Sequence, residues 1–129
     1  LENAGPKTVT IVASGSVLAQ AVEAAGKLKE KNIGAIVINP IQHNHIDTAT
    51  IKEALKKSEG RLITVEDHQR IGGMGQMLTH ALVEQGVSLK LKSLAVHGDF
   101  GQSAYTAQEL YHKHKVDAAA IIAAAQDLS

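Results

Sequence analysis

The sequence predicts an α/β domain, a three-layer αβα arrangement around a mostly parallel sheet, and three observations carry that expectation. Short β-branched runs recur, each followed by a turn and then by a segment with helical periodicity. The runs Thr8-Val9-Thr10-Ile11-Val12, Ala35-Ile36-Val37-Ile38 and Leu62-Ile63-Thr64-Val65 are nearly continuous in apolar character, as strands covered on both faces are. The clearest unit, Gly60 to Gly75, breaks abruptly from apolar to Glu66-Asp67-His68, placing polar residues at a strand's carboxyl end, where open α/β sheets meet ligands or partners.

Leu1 to Lys7 has no clear period and holds the loop signal Gly5-Pro6. The first clear strand, Thr8 to Val12, is followed by the turn Ala13-Ser14-Gly15-Ser16. Val17, Leu18, Ala21, Val22, Ala25 and Leu28 then recur at helical spacing, with Glu23, Lys27 and Glu30 opposite. The second strand, Gly34 to Ile38, breaks at Asn39-Pro40, and Asp47 is placed to cap a helix through Ile51, Ala54 and Leu55 that ends near Ser58-Glu59-Gly60.

The third strand, Leu62 to Val65, leads through Gly72-Gly73-Met74-Gly75 into a helix marked by Met74, Met77, Leu78, Ala81 and Leu82. Val87 to Val96 reads as a fourth strand whose early alternation with Ser88, Lys90 and Lys92 suits a sheet edge. A turn-rich loop, His97 to Tyr105, precedes the capping box Thr106 to Glu109, which opens a short helix through Leu110 and Tyr111. Asp117 caps a last, alanine-rich helix in which Ile121, Ile122, Ala125 and Leu128 pack. Four strands and about five helices in βα order, joined by right-handed crossovers, complete the layers.

The length of 129 residues suits one domain with a real core. Thirteen basic residues balance thirteen acidic ones, so no net field draws the chain to nucleic acid or to an anionic membrane. Aromatics are confined to Phe100, Tyr105 and Tyr111, too few for the stacking platforms of single-strand binders. The absence of cysteine excludes disulfides and thiolate chemistry and fits a reducing compartment. No apolar run approaches the roughly 20 residues that span a bilayer. A soluble, cytoplasmic domain is the expectation, and the opening Leu1 suggests a piece of a longer chain.

No complete catalytic constellation stands out. Gly72-Gly73-Met74-Gly75 before a helix could offer backbone N–H groups to a phosphate, but lacks the dinucleotide spacing and the Lys-Ser/Thr of a P-loop. The plainer reading is a tight turn with close packing. Glu66, Asp67 and His68 have the composition of an acid/base set, yet neighbours on an extended chain point to opposite faces, so a hydrogen-bonded or interface role fits better. His43 and His45 share a face if extended, but no third ligand is spaced for zinc. His112 and His114 suit the negative end of a helix. Asp99-Phe100-Gly101 matches a kinase tripeptide without any of its companion motifs.

Taken together, Thr8 to Gly15, the run Gly60 to His68 with Gly72-Gly73-Met74-Gly75, and Asp99-Phe100-Gly101-Gln102-Ser103 resemble, in order and spacing, the C-terminal domain of transketolase. The resemblance extends from Thr8 to Leu128. Related domains close deoxyxylulose phosphate synthase and the β subunits of 2-oxoacid dehydrogenases, which stand as alternatives, but the Glu66-Asp67-His68 triplet is more similar to transketolase. A free-standing nucleotide-binding or regulatory αβα module is the alternative of a different class.

The resemblance implies a five-stranded mixed sheet whose first strand is antiparallel, with residues 1–7 a linker or the remnant of that strand and residues 8–129 the domain. The four clear strands would then lie in the order second, first, third, fourth. It further implies a homodimeric parent of the pentose phosphate pathway that moves a two-carbon ketol unit between sugar phosphates. Thiamine diphosphate and Mg²⁺ would be held by upstream pyrimidine- and diphosphate-binding domains or a separate subunit, and none by this chain. No residue here inherits a catalytic, cofactor or metal role. The candidate interface implied is Glu66, Asp67, His68, Gly72 and Gly73 together with Asp99, Phe100, Gly101 and Ser103.

Overall fold

A computed structural model describes residues 1–3, 5, 7–98, 101 and 103–129. Its strands are β1 (Glu2–Asn3), β2 (Val9–Ser14), β3 (Ala35–Ile38), β4 (Arg61–Gln69) and β5 (Lys90–Val96). The helices are α1 (Leu18–Glu30), α2 (Thr48–Lys57), α3 (Met74–Glu84), α4 (Ala107–Lys113) and α5 (Ala118–Leu128), and a 3₁₀ turn, Gly15–Val17, precedes α1.

The sheet has the order β1-β3-β2-β4-β5. Glu2 and Asn3 pair antiparallel with β3, and the other pairings are parallel. The four longer strands thus take the order expected of them. The chain runs from β2 outward to β3, then crosses back past β2 to β4, which puts the topological switch point between β2 and β4.

Alternation along the strands divides the core into two layers. Ile11, Ala13, Ile63 and Val65 face α1 and α5, where Val17, Ala21, Ala25, Leu28, Ile121 and Ala125 cover them. Val12 and Leu62 face the opposite layer, packed under Ile51 and Leu55 of α2 and Met74, Leu78 and Leu82 of α3. Two residues assigned to apolar stripes instead face water, Val22 and Met77. Gln20 is the converse: it is buried and its side-chain oxygen accepts the N–H of Ala118 at 3.1 Å, tying α1 to the start of α5. The apolar periodicity of α1 concealed this polar tether.

Caps set the helix starts. Asp117 accepts from the N–H of Ala120 and Thr106 from that of Glu109. The Glu109 carboxylate reaches the N–H of Tyr105, one residue beyond the partner a regular capping box would give it. The fourth strand begins at Lys90 and not at Val87, whose N–H closes the end of α3 on Leu82.

Asp47 caps α2 through the Thr50 N–H at 3.0 Å and the Thr50 hydroxyl at 2.5 Å. The Thr50 hydroxyl, followed by its N–H, holds the Asp47 carboxyl below its ordinary value of 3.8. A depressed native value means that this cap contributes fully above the unfolded value and is lost as pH falls through the lower folded one. Amide exchange in the first turn of α2 is therefore expected to accelerate below the ordinary carboxyl range in the native sequence, and Asp47→Asn to remove that acid dependence while keeping the helix capped. An acid response unchanged in the variant would assign the effect to another group.

Candidate functional site: the carboxyl tips of the central strands

At the switch point the carboxyl ends of β2 and β4 lie side by side, with Ser14 in register with Glu66. Open α/β sheets offer a crevice at this position. Here the chain's own carboxylates occupy it. The two acidic residues go to opposite faces because consecutive strand residues must.

Glu66 lies on the α3 side and is 2 % exposed. Its two oxygens accept the N–H groups of Met74 and Gly75, at 2.7 and 3.0 Å, so both are bound to the first turn of α3. That first turn carries unpaired donors and the positive end of the helix dipole, which a carboxylate satisfies as a phosphate would. The anion position beside the glycine-rich turn is thereby filled from within. The reading of that turn as close packing describes it best.

Two of the glycines exist for this contact. A Cβ on Gly73 would come 2.5 Å from the Gln69 carbonyl and 2.5 Å from Glu66 Oε2. One on Gly75 would lie 2.6 Å from the Thr64 hydroxyl, a buried group without a hydrogen-bond partner among the described residues. Gly72 differs, since nothing lies within 4 Å of its Cβ position and its need for glycine is a φ of +76°.

Asp67 projects to the α1 side and is exposed. The Ser16 hydroxyl donates to its Oδ2 at 2.5 Å, and the Tyr111 hydroxyl donates to Ser16 Oγ at 2.6 Å. This chain of three side chains joins β4, the 3₁₀ turn and α4. Gly15 makes room for it, since a Cβ there would stand 2.9 Å from Asp67 Oδ1. α4 buries no residue fully, and Tyr111, partly buried against the α1 layer, is its anchor.

His68 is exposed, and its Nδ1 lies 3.1 Å from the adjacent Gln69 carbonyl. Glu66, Asp67 and His68 therefore diverge into three environments and form no acid/base set. The Gln69 side chain accepts the N–H of Gly98 at 2.9 Å, and the Arg70 N–H donates to the Val96 carbonyl at 3.0 Å. These bonds hold Val96 and Gly98, at the start of the 97–105 loop, against the β4 tip. Gly101 and Ser103 are exposed, while Asp99, Phe100 and Gln102 lie outside the described residues.

Glu66 and Gly73, expected at an interface, are instead buried inside the chain and shape the tip from beneath. Ser16, Tyr111 and Thr64 belong to the site and were not singled out for it from sequence. The one available signal was the Gly15-Ser16 turn after the first clear strand. His43 and His45 sit in an exposed loop, and no group of three or more metal-ligating side chains occurs among the described residues. His112 approaches Asp117 at 2.8 Å, so it contacts the cap of α5 from the last turn of α4. No helix among the described residues is long and apolar enough to cross a membrane.

Residues 2–121 match a family model described as the transketolase C-terminal domain. The human transketolase-like protein 2 is 40 % identical over 90 residues, covering 70 % of this chain and 14 % of that protein. A putative transketolase C-terminal section from Methanocaldococcus jannaschii is 33 % identical over 113 residues, 88 % of this chain and 34 % of its own length. Among solved structures, one titled split gene transketolase, inactive beta4 tetramer, superposes with a TM-score of 0.85 at 34 % identity, covering 96 % of this chain and 39 % of that one. The chain thus spans between 14 % and 39 % of these relatives. Their names favour the transketolase expectation over the synthase, the dehydrogenase and the free-standing module.

Proposed function

Because the chain belongs to the family of transketolase C-terminal domains, we propose that it is the non-catalytic, assembly-supporting part of an enzyme moving a two-carbon ketol unit between sugar phosphates. The observation that carries this reading is the internal use of the strand-tip carboxylates. Glu66 is bound to α3 and Asp67 to Ser16, so the crevice in which this sheet type holds ligands serves to fix the shape of a surface.

On this reading the contact surface is the exposed part of the tip, Asp67, His68 and Gly72, with Asp99, Phe100, Gly101 and Ser103 of the loop that follows β5 in the chain. It receives the pyrimidine- and diphosphate-binding parts of the parent, on the same polypeptide or a separate subunit. Residues 8–129 are the domain proper, and residues 1–7 carry the remnant of its first strand, Glu2–Asn3, which pairs with β3. The relative titled as a split-gene tetramer supports an origin in subunits that associate. The parent is placed in the pentose phosphate pathway of the cytoplasm as a homodimer, and the lack of cysteine suits a reducing compartment.

Thiamine diphosphate and Mg²⁺ belong to the rest of the parent enzyme. When bound there, thiamine diphosphate supplies the carbanion chemistry that ketol transfer requires. The residues of this chain do not suit the diphosphate: the donors that would receive it at α3 already hold Glu66. No step is therefore assigned to a residue of this chain.

A ketol-transfer assay with thiamine diphosphate, Mg²⁺, xylulose 5-phosphate and ribose 5-phosphate tests the proposal. Turnover is expected when the chain is joined to, or mixed with, the remaining parts of the enzyme, and none from the chain alone. Turnover by the chain alone, or none by the assembled enzyme, would overturn it.

A further inference from the structure

Asp67 is a carboxylate without a counterion. Glu2 and Asp127 meet lysines and Glu59 meets Arg61, while Asp47 and Glu66 accept N–H groups at the starts of α2 and α3. Asp67 has neither kind of partner among the described residues. Its one hydrogen bond there comes from the Ser16 hydroxyl, and it is exposed beside the switch point of the sheet.

Fixing the rotamer of an exposed carboxylate costs entropy that a surface contact barely returns. This one is nonetheless fixed from two sides. Oδ2 takes the Ser16 proton at 2.5 Å, and Oδ1 lies over Gly15, where a Cβ would come within 2.9 Å. Gly15 suits that place through its φ of +71° as well as through the room it leaves.

Tyr111 sets the direction of the contact. A serine hydroxyl has one proton to give. The Tyr111 hydroxyl donates to Ser16 Oγ at 2.6 Å, which leaves the Ser16 proton to Asp67, and hydrogen bonds in such a chain strengthen one another. The relay runs from α4 to the tip of β4 and ends on a full negative charge. Tying α4 down would need only a neutral acceptor at this position, so internal packing leaves the charge without a use. A carboxylate offers about four acceptor sites and Ser16 takes one, which leaves room for the N–H donors of a guanidinium or ammonium group.

We infer that Asp67 is the pre-oriented acceptor for a cationic side chain, arginine or lysine, of the polypeptide that docks on the strand tips, and that Ser16 and Tyr111 are its positioning residues. The inference rests on the assembly-supporting reading and adds the chemistry of the contact. An acceptor already held in place lowers the ordering cost of docking. A charge pair formed at the interface then makes the association sensitive to salt.

The experiment titrates the chain with the remaining parts of the parent enzyme, supplied as a separate polypeptide, from about 0.01 to 1 M salt, across which the Debye length falls from about 30 to 3 Å. Asp67→Asn keeps an acceptor for Ser16 and removes the charge. It is expected to weaken association about tenfold at the lowest salt and to flatten the salt dependence. Tyr111→Phe and Ser16→Ala keep the charge but release its rotamer, so each should weaken association about threefold while the salt dependence persists. Glu30→Gln removes an exposed charge from the far end of α1 and is expected to change neither.

Asp67→Asn binding as tightly as wild type, or more weakly with the wild-type salt dependence, would overturn the cationic partner. So would an equal loss in Glu30→Gln, which would reduce the effect to net charge. A lower melting temperature in Tyr111→Phe with unchanged affinity would make the relay a tether of α4 alone and overturn the positioning role. A wild-type chain that fails to associate at any salt would instead overturn the assembly-supporting reading, and this inference with it.

Discussion

Glu66→Ala is expected to lower the unfolding free energy by about 3 kcal/mol, the largest effect of any single polar side chain at the strand tips. The wild-type carboxylate is buried and accepts two backbone N–H groups at the start of α3. Alanine leaves both donors without a partner in a space that excludes water, and it removes the negative group from the positive end of the helix. For a domain of this size the melting temperature should fall by on the order of 10 °C.

Glu66→Gln separates the two contributions. A carbonyl oxygen replaces one carboxylate oxygen and preserves one of the bonds, but the amide NH₂ faces a donor. The loss should lie near half that of alanine if charge and the second bond matter comparably. Urea unfolding measures both variants, and the midpoint is expected to move without a change in slope. An alanine variant within experimental error of wild type would mean that water replaces the carboxylate, and the account of the crevice as internally filled would fail.

Gly73→Ala is the second large effect, and its contrast with Gly72→Ala is the informative part. At Gly73 the backbone conformation suits any residue, with φ −81° and ψ 174°, so the obstacle is spatial. The new methyl would stand 2.5 Å from the Gln69 carbonyl and 2.5 Å from Glu66 Oε2, so the β4 tip and the cap of α3 would both have to move. A loss of about 3 kcal/mol is expected, the upper part of the range for overpacking.

Gly72→Ala meets no atom within 4 Å and carries only the strain of a left-handed residue, about 1 kcal/mol. The double variant Gly73→Ala with Glu66→Ala should lose less than the sum of the two, because the truncated side chain no longer obstructs the methyl. Additive losses, or a Gly72 variant worse than the Gly73 one, would contradict the packing described here.

Local signals in the chain were enough to locate most elements. The runs around Val9, Ile36 and Ile63 announced parallel strands because both of their faces are apolar, and Asp47, Thr106 and Asp117 announced the helix starts they cap. The break from Val65 to Glu66 marked the strand tip. Errors arose where an apolar pattern was broader than the buried face, as at Val22 and Met77, and where a polar residue served a distant partner, as Gln20 does for Ala118.

The sequence by itself determined the α/β class, the succession of units and, through the ordered motifs, the family, because hydrophobic period, capping residues and turn glycines act over a few positions along the chain. Only the tertiary structure decided what the tip residues do. Glu66 meets α3, and Asp67 meets Ser16, to whose hydroxyl Tyr111 donates from 95 positions along the chain. Whether a carboxylate awaits a ligand or satisfies the chain's own N–H groups depends on which elements the crossovers bring to it. Sequence spacing carries no measure of that.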